Sequence, residues 1–109
     1  MKNLLTLLTI LLLSQSLISQ LSLDLEKSKI KWTGKKITNA SHWGSLSFSE
    51  ANLDFDGDDL VGGKFVVDMN SMSVDDIQGR GKQRLEGHLR NQDFFDVENH
   101  KEAILLFNE

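Results

Sequence analysis

Cysteine is absent from this chain of 109 residues, and so is proline. Without a thiol, the chain can form no disulfide framework, carry no lipoprotein-type acyl anchor and offer no cysteine nucleophile. Its stability must therefore come from a packed core and from strand pairing. A long hydrophobic run is also missing, because the apolar stretch from Leu4 to Leu13 is too short to span a bilayer.

The N-terminus has the three parts of a secretory signal peptide. Lys2 supplies a positive start, the apolar run follows, and residues 14–20 turn small and polar. We predict a signal peptide over residues 1–19, with cleavage after Ser19 or, alternatively, after Ser16. The competing interpretation is a buried N-terminal helix. A cleaved signal peptide predicts an extracytoplasmic protein.

Acidic side chains outnumber basic ones by 16 to 12, which gives a net charge of −4 at pH 7. Loss of the predicted signal peptide removes Lys2 and makes the balance more negative. A negative protein is a poor partner for nucleic acid and for an anionic membrane surface. We therefore expect no nucleic-acid partner and no stable membrane insertion after cleavage.

Alternation of polar and apolar residues predicts an antiparallel sheet. In residues 29–33, Ile30 and Trp32 share one face, with lysines on the other. Residues 43–55 repeat the pattern, with a bend at Ser49-Glu50. Asp56-Gly57 then lies between two alternating runs and indicates a hairpin. In the strand that follows, Gly62-Gly63 favours a bend or bulge.

Residues 73–90 break the alternation. Ser73-Val74-Asp75-Asp76 fits a helix-capping pattern, and Ile77, Leu85 and Leu89 could share a helical face. Glycines in this stretch weaken a continuous helix by about 1 kcal/mol each. We predict one or two short helices with a mobile glycine-rich join. A corner at Asp93-Phe94-Phe95-Asp96 and a buried strand over residues 103–107 follow.

Three aspartates near the hairpin, Asp54, Asp56 and Asp58, suggest a calcium loop at first sight. An EF-hand loop needs glycine at its sixth position and glutamate at its twelfth. Asp59 and Phe65 occupy those positions here, and the flanking segments are strands. The pattern therefore favours a hairpin turn over a calcium site.

Patterns typical of enzymes and metal sites are missing from the sequence. The three histidines, His42, His88 and His100, form no pair at zinc-binding spacing. Gly44-Ser45 is not part of a Gly-x-Ser-x-Gly elbow. A hydrolase that used His88 with Asp68 or Asp93 would have no nucleophile. We predict no catalytic residue, no metal and no cofactor.

Several motifs, in this order and spacing, resemble the YceI-like family from about Leu23 to the end of the chain. They are Ser28-x-Ile30-x-Trp32, His42-Trp43-Gly44, Gly63-x-Phe65-x-Val67-Asp68, Leu85-x-Gly87-His88-Leu89 and Asp93-Phe94-Phe95-Asp96-Val97. The resemblance implies an exported protein with a lipocalin-like barrel that holds a long isoprenoid or related amphiphile. The chain departs from the family pattern at His100-Lys101, where a proline is usual. It also lacks the strands that follow the segment of residues 103–107 in the family and close the barrel.

The resemblance implies an all-β fold: a lipocalin-like antiparallel β-barrel with a short helical insertion. A closed eight-stranded barrel needs roughly 150 residues. We therefore expect an incomplete barrel here, with about five or six of its eight strands. Residues 20–109 would form the N-terminal part of a YceI-like barrel domain, truncated at its C-terminus. The missing strands would leave an unpaired edge.

On this resemblance we expect a non-enzymatic protein that sequesters or carries an isoprenoid-like or other long-chain amphiphile. The alternative is a small secreted structural or interaction domain with a solid aromatic core and no ligand. A basic cluster that also includes Arg90 is either a solvated helix face or a rim for a lipid head group, and a homodimer is left open. The residues expected to line the pocket are Ile30, Trp32, Trp43, Leu46, Phe48, Phe55, Phe65, Val67, Leu85, Leu89, Phe94 and Phe95. The candidate rim consists of Arg80, Lys82, Arg84 and His88.

Overall fold

The computed structural model describes residues 17–108, which form an open antiparallel sheet and one helix. The predicted all-β class is confirmed, and the described residues contain five strands. The sheet does not close into a barrel. The elements are β1 (Ile18–Ser22), β2 (Lys29–Lys35), β3 (Ser41–Asp56), β4 (Asp59–Val74), α1 (Gly79–Arg90) and β5 (Glu102–Asn108).

A long hairpin of β3 and β4 is the centre of the sheet. Its turn joins the paired residues Asp56 and Asp59, and Gly57 adopts a φ of 62°. Glycine enters this left-handed region without the steric penalty of a side chain, as tight hairpin turns require. The hairpin predicted from Asp56-Gly57 is confirmed.

Three short strands extend this hairpin. Residues 41–47 of β3 pair with β2. Residues 52–56 of β3 pair with β1 along the same edge. On the other side, residues 62–68 of β4 pair with β5. The spatial order of the strands in the sheet is therefore β1, β3, β4, β5. Strand β2 pairs with the same edge of β3 as β1 does.

Register shifts curve the two long strands. One shift lies at Ser49, where the sequence predicts a bend, and another lies beside Gly62. The largest shift places residues 69–72 of β4 opposite Leu46 alone. The Ser71 hydroxyl stabilises this bulge, because it accepts a hydrogen bond from Ser47 N at 2.7 Å and donates one to Asp68 O at 2.5 Å.

The predicted helix start at Ser73 is wrong. Ser73 and Val74 still belong to β4, where Ser73 pairs with Ser45 and its hydroxyl donates to the Asp75 carboxylate. One continuous helix begins only at Gly79 and includes two further glycines. The expected glycine-rich break is therefore absent from α1. Cross-strand pairing has outweighed the local capping pattern.

The buried core is small and lies under the helix. Met69, Met72 and Val97 form its centre, with Leu46, Val67 and Leu89 packed against them. The predicted strand over residues 103–107 is present as β5, which is not buried but forms the unpaired edge that was expected of an incomplete barrel. All of β5 is exposed, since β4 is its only partner among residues 17–108.

Most of the predicted signal peptide, residues 1–16, lies outside the described residues. Ile18 and Ser19 belong to β1, where they pair with Asp56 and Phe55. Cleavage after Ser19 would therefore shorten β1, whereas cleavage after Ser16 would leave it whole. Among residues 17–108, no helix combines the length and the apolar character needed to cross a bilayer.

Candidate functional site

The sheet has one face rich in large apolar side chains, which we call the inner face. Residues directly opposite each other in an antiparallel pair point to the same side of the sheet. The pairs Ile30–Leu46 and Phe48–Val67 therefore share a face. The inner face carries seven of the predicted pocket residues: Ile30, Trp32, Leu46, Phe48, Phe55, Phe65 and Val67.

Trp32 lies flat across this face. It pairs with Gly44, and its indole Nε1 donates a hydrogen bond of 3.1 Å to Ser73 O on β4. A Cβ atom on Gly44 would lie 2.7 Å from the indole ring and 1.7 Å from Ser73 O. Gly44 is thus required for the close approach of the ring and of β4. The indole spans the width of β3.

The indole forms the floor of an apolar groove of about 280 Å³. We use the name apolar groove for this cavity, which lies between the inner face and the segment that follows β4. Five of the predicted pocket residues meet here, one from each of β2, β3 and α1 and two from the corner. The lining residues are Trp32, Thr33, Gly34, Leu46, Met72, Leu89, Phe94 and Phe95.

The predicted Asp-Phe-Phe-Asp corner is confirmed as a compact turn after α1. Phe95 N donates to Leu89 O and Phe94 N donates to Asn91 O, both at 3.1 Å. Asp96 has a φ of 45°, and its carboxylate accepts hydrogen bonds from the Asn99 side chain. The turn holds both phenylalanine rings against the groove, where 57% of Phe94 and 50% of Phe95 stay exposed.

Side chains of α1 attach the helix to the last part of β4, along the edge that β5 does not cover. Glu86 Oε1 accepts a hydrogen bond from Val74 N at 3.0 Å. Arg90 Nη2 donates to Met72 O at 2.6 Å and to Asn70 O at 3.3 Å. These contacts satisfy backbone groups that a sixth strand would otherwise pair. They fix Leu89 above the groove.

A second cavity of about 200 Å³ continues from the apolar groove toward the end of β2. The two cavities share Trp32, Gly34, Leu89 and Phe94 in their walls. The second cavity adds one more predicted residue, Leu85, and three basic ones that were not predicted, Lys35, Lys36 and His42.

His42 is oriented by an acidic partner. Its Nδ1 lies 2.9 Å from Asp76 Oδ2. Burial raises the pKa of Asp76, but the hydrogen bond from His42 and those from the backbone amides of Trp43 and Asp76 outweigh it and leave the pKa lowered. Asp76 is therefore an ionised acceptor at neutral pH. The neighbouring Asp75 also has a lowered pKa, because the hydroxyls of Ser73 and Ser45 donate to it.

Not every predicted pocket residue reaches the groove. Trp43 pairs with Thr33 on the opposite face, where the Lys31 ammonium lies 4.4 Å from its ring centre. Farther along the inner face, Phe65 packs at a tilt against Phe48, with ring centres 5.7 Å apart, and stacks on Phe107 at 6.2 Å. The remaining residues that share the inner face but line neither cavity are Ile30, Phe55 and Val67.

The predicted head-group rim is divided. Arg80 and Arg84 are exposed on α1 and line neither cavity. Lys82 Nζ lies 3.9 Å from Glu86 Oε1. The exposed His88 packs edge-on against Phe94, with ring centres 4.8 Å apart. Arg90 does not belong to a rim, because β4 engages its guanidinium.

Sequence patterns missed Met72 and the residues at the end of β2. The bulge of β4 resets the alternation, so a period of two could not place Met72 beside Leu46. Lys35, Lys36 and His42 lie in and next to the turn between β2 and β3, where alternation ends. The only sequence signal for these residues was their place in and beside the loop between two predicted strands. Within the described residues, no group of three potential metal ligands is assembled.

An open antiparallel sheet with an apolar groove on its inner face defines a β-protein of the ligand-binding class. The family model described as YceI-like domain matches residues 21–108. The chain therefore belongs to the YceI-like family, a family of binding proteins, as the motifs predicted. Comparison with curated proteins and with solved structures gave no match for this chain.

Proposed function

We propose that this protein binds an amphiphile with a long apolar tail of the isoprenoid type, and that the tail lies in the apolar groove. The protein would carry or sequester this molecule in the periplasm or outside the cell. The proposal needs no catalytic residue and no cofactor. The observation that carries it is a groove walled by aromatic rings that the protein itself leaves half exposed.

The physical reason is the burial of apolar surface. Phe94 and Phe95 expose 57% and 50% of their area, opposite Trp32 and Leu46. A slim hydrocarbon placed between them removes water from both walls, at roughly 25 cal/mol for each Å² of apolar surface buried. Few polar groups line this groove, so the binding should tolerate different tails.

Direct detection of a ligand tests the proposal. Mass spectrometry of the purified protein should show a co-purified lipid, and farnesol should bind to lipid-stripped protein. A protein that yields no lipid and does not bind farnesol would contradict the proposal. The secreted structural domain with a solid core would then be favoured.

Two matched substitutions separate the two functions. We expect Phe94→Ala to weaken farnesol binding strongly and to lower stability only slightly, because the ring is more exposed than buried. Phe107→Ala is the control, since Phe107 is also partly exposed, at 37%, but stacks on Phe65 away from the groove. A loss of several kcal/mol on Phe94→Ala, of the size seen for buried core rings, would instead support the solid core.

A further inference from the structure

The face of the sheet opposite the inner face, which we call the outer face, carries a row of lysines along β2. Lys29, Lys31 and Lys35 alternate along the strand and pair with serines of β3, so their side chains share this face. All three are exposed. Trp43 belongs to the same face, is 41% exposed and has the Lys31 ammonium 4.4 Å from its ring centre. The name basic stripe is used for Lys29, Lys31, Lys35 and Trp43.

The turn between β2 and β3 presents an apolar side chain to solvent. Lys36 N donates to Ala40 O at 2.8 Å, and Asn39 N donates to Lys36 O at 3.1 Å, so the turn is tight and hydrogen-bonded. Ile37 lies at its tip and is completely exposed. Membrane-surface helices combine apolar side chains with lysines and tryptophan in the same way. Here a hairpin turn and the basic stripe present that combination.

The lysines of the basic stripe have no acidic partner within the described part of the chain. Lysine ion pairs there are made by Lys64 and Lys82, and neither belongs to the stripe. Two carboxylates lie beyond β3, on and after β4, and both already have donors. Asp75 accepts from two serine hydroxyls, and Asp68 accepts from the backbone amide of Asn70. The ammonium groups of the stripe are therefore available to an external anion.

Charge is divided between the two ends of the long hairpin. Residues 27–43 contain five lysines and no acidic residue, whereas residues 47–63 contain five acidic residues and no basic one. Strand β3 begins in the first segment and ends in the second after 16 residues, which is roughly 50 Å of extended chain. The net negative charge of the protein therefore does not describe the β2 end. An anionic surface would attract this end and repel the turn after β3, which orients the molecule.

We propose that the basic stripe and Ile37 dock the protein on the surface of a bilayer that contains anionic phospholipid. The lysines meet the lipid phosphates, Trp43 lies at the level of the head groups, and Ile37 enters the apolar boundary. The docking is peripheral, since it inserts one side chain and no backbone segment. An acidic polymer in solution would engage the lysines but has no apolar layer for Ile37.

This surface goes beyond the proposed function, because docking requires no cargo in the apolar groove. The two are nevertheless close together. Gly34 and Lys36, which belong to the wall of the second cavity, lie on either side of Lys35 in the chain and directly before Ile37. Docking would therefore place this cavity beside the membrane, and an apolar molecule could pass between bilayer and groove with little exposure to water.

Co-sedimentation with vesicles tests the inference. Vesicles of phosphatidylglycerol and phosphatidylcholine in equal parts are compared with vesicles of phosphatidylcholine alone. We expect binding to the anionic vesicles that weakens as salt is added. Lys29→Gln with Lys31→Gln should weaken this binding about thirtyfold, and Ile37→Ser should weaken it about tenfold. Every variant keeps the apolar run near the N-terminus, so differences between variants report the docking surface.

Two control variants and one spectroscopic measurement locate the effect. Arg80→Gln with Arg84→Gln removes two charges from α1, and Leu60→Ser removes an exposed apolar side chain beside the turn after β3. Neither control should weaken binding. Brominated phosphatidylglycerol should quench tryptophan fluorescence in the parent protein. Trp43→Phe should lose most of this quenching, although Trp32 remains.

Several outcomes would overturn the docking surface. Equal binding to both kinds of vesicle would do so, as would no binding to either. A loss of binding in the α1 variant as large as that in the β2 variant would also contradict it. Full binding by Ile37→Ser, together with displacement from vesicles by dextran sulfate, would show a surface for acidic polymers instead of a membrane. Farnesol binding is measured separately, so either proposal can fail while the other stands.

Discussion

The contact between Trp32 and Gly44 joins three strands at a single point. The indole starts on β2, covers the glycine of β3 and donates its hydrogen bond to Ser73 on β4. It also forms the floor of the apolar groove. Sequence alternation correctly placed Trp32 on the apolar face. It gave no reason for Gly44, because the requirement for glycine arises from two other strands.

The first prediction concerns Gly44. Gly44→Ala would place a methyl group 2.7 Å from the Trp32 ring and 1.7 Å from Ser73 O, so either the ring or the strand must move. We expect a loss of about 1–3 kcal/mol in the free energy of unfolding, as for other overpacked sites. Urea denaturation measures this loss.

Gly34→Ala is the matched control, because the nearest ring atom of Trp32 lies at an ordinary contact distance of 3.7 Å. Its effect on stability should be small. Equal losses in the two variants would show that the indole does not depend on the glycine beneath it.

The second prediction concerns the pair of Asp76 and His42. The pKa of Asp76 is lowered below its ordinary value of 3.8. A group with a lower pKa in the folded state stabilises the protein fully above its unfolded pKa, and this contribution is lost as the pH falls through the folded value. We therefore expect Asp76→Asn to be less stable than the parent protein at pH 7.

The stability difference between the two proteins should shrink below about pH 4, where the unfolded-state carboxyl becomes protonated. Urea midpoints of both proteins between pH 7 and pH 3 measure it. A difference that stays constant over this range would contradict the assignment.

At the scale of elements, α1 takes the place of a strand along the last part of β4. The sequence predicted a helix in this region, since Leu85 and Leu89 have helical spacing. The predicted start of the helix, Ser73, lies six residues before the observed start, Gly79. The error arises because the capping pattern is a local signal. The pairing of Ser73 with Ser45 is a long-range contact that the pattern cannot register.

The third prediction tests this attachment. Arg90→Met keeps much of the side-chain volume but removes the donors to Met72 O and Asn70 O. We expect a loss of about 1–3 kcal/mol, because the carbonyl of the buried residue Met72 loses its charged donor. Amide hydrogen exchange in α1 should also become faster.

Arg84→Met is the control for Arg90→Met, since Arg84 is exposed on the same helix. It should change stability by no more than about 0.5 kcal/mol. If both variants behave alike, the helix is held by its apolar contacts alone.

At the scale of the whole molecule, the sheet is open and its two edges differ. The edge of β3 is covered by β1 and β2, whereas β5 presents apolar side chains along its exposed length. The all-β class and the hairpin were predictable because period-two alternation and turn residues are local signals. The set of residues that meet in the apolar groove could not be predicted in this way, since they come from β2, β3, β4, α1 and the corner.

The fourth prediction follows from the edge at β5. Unpaired apolar strands are templates for association, and Leu106 is 68% exposed opposite Lys64. We expect the protein to self-associate through β5. Leu106→Glu should reduce this, because it adds a charge to the edge and a cross-strand partner for Lys64.

Sedimentation velocity of both proteins measures the association. Leu60→Glu is the control, since Leu60 is also exposed but lies next to the hairpin turn. A parent protein that remains monomeric at high concentration would contradict the prediction. So would equal suppression of association by both substitutions.

The turn between β3 and β4 offers a place for attachment. Gly57 is exposed, and a Cβ atom there would meet nothing within 4 Å. Along β3, the segment from Leu46 in the groove to Asp56 at the turn spans roughly 30 Å of extended chain. Exposed turns of this kind tolerate insertions. A fluorophore, a peptide tag or a tether to a sensor surface could thus be placed at this tip, at the far end of the hairpin from any cargo.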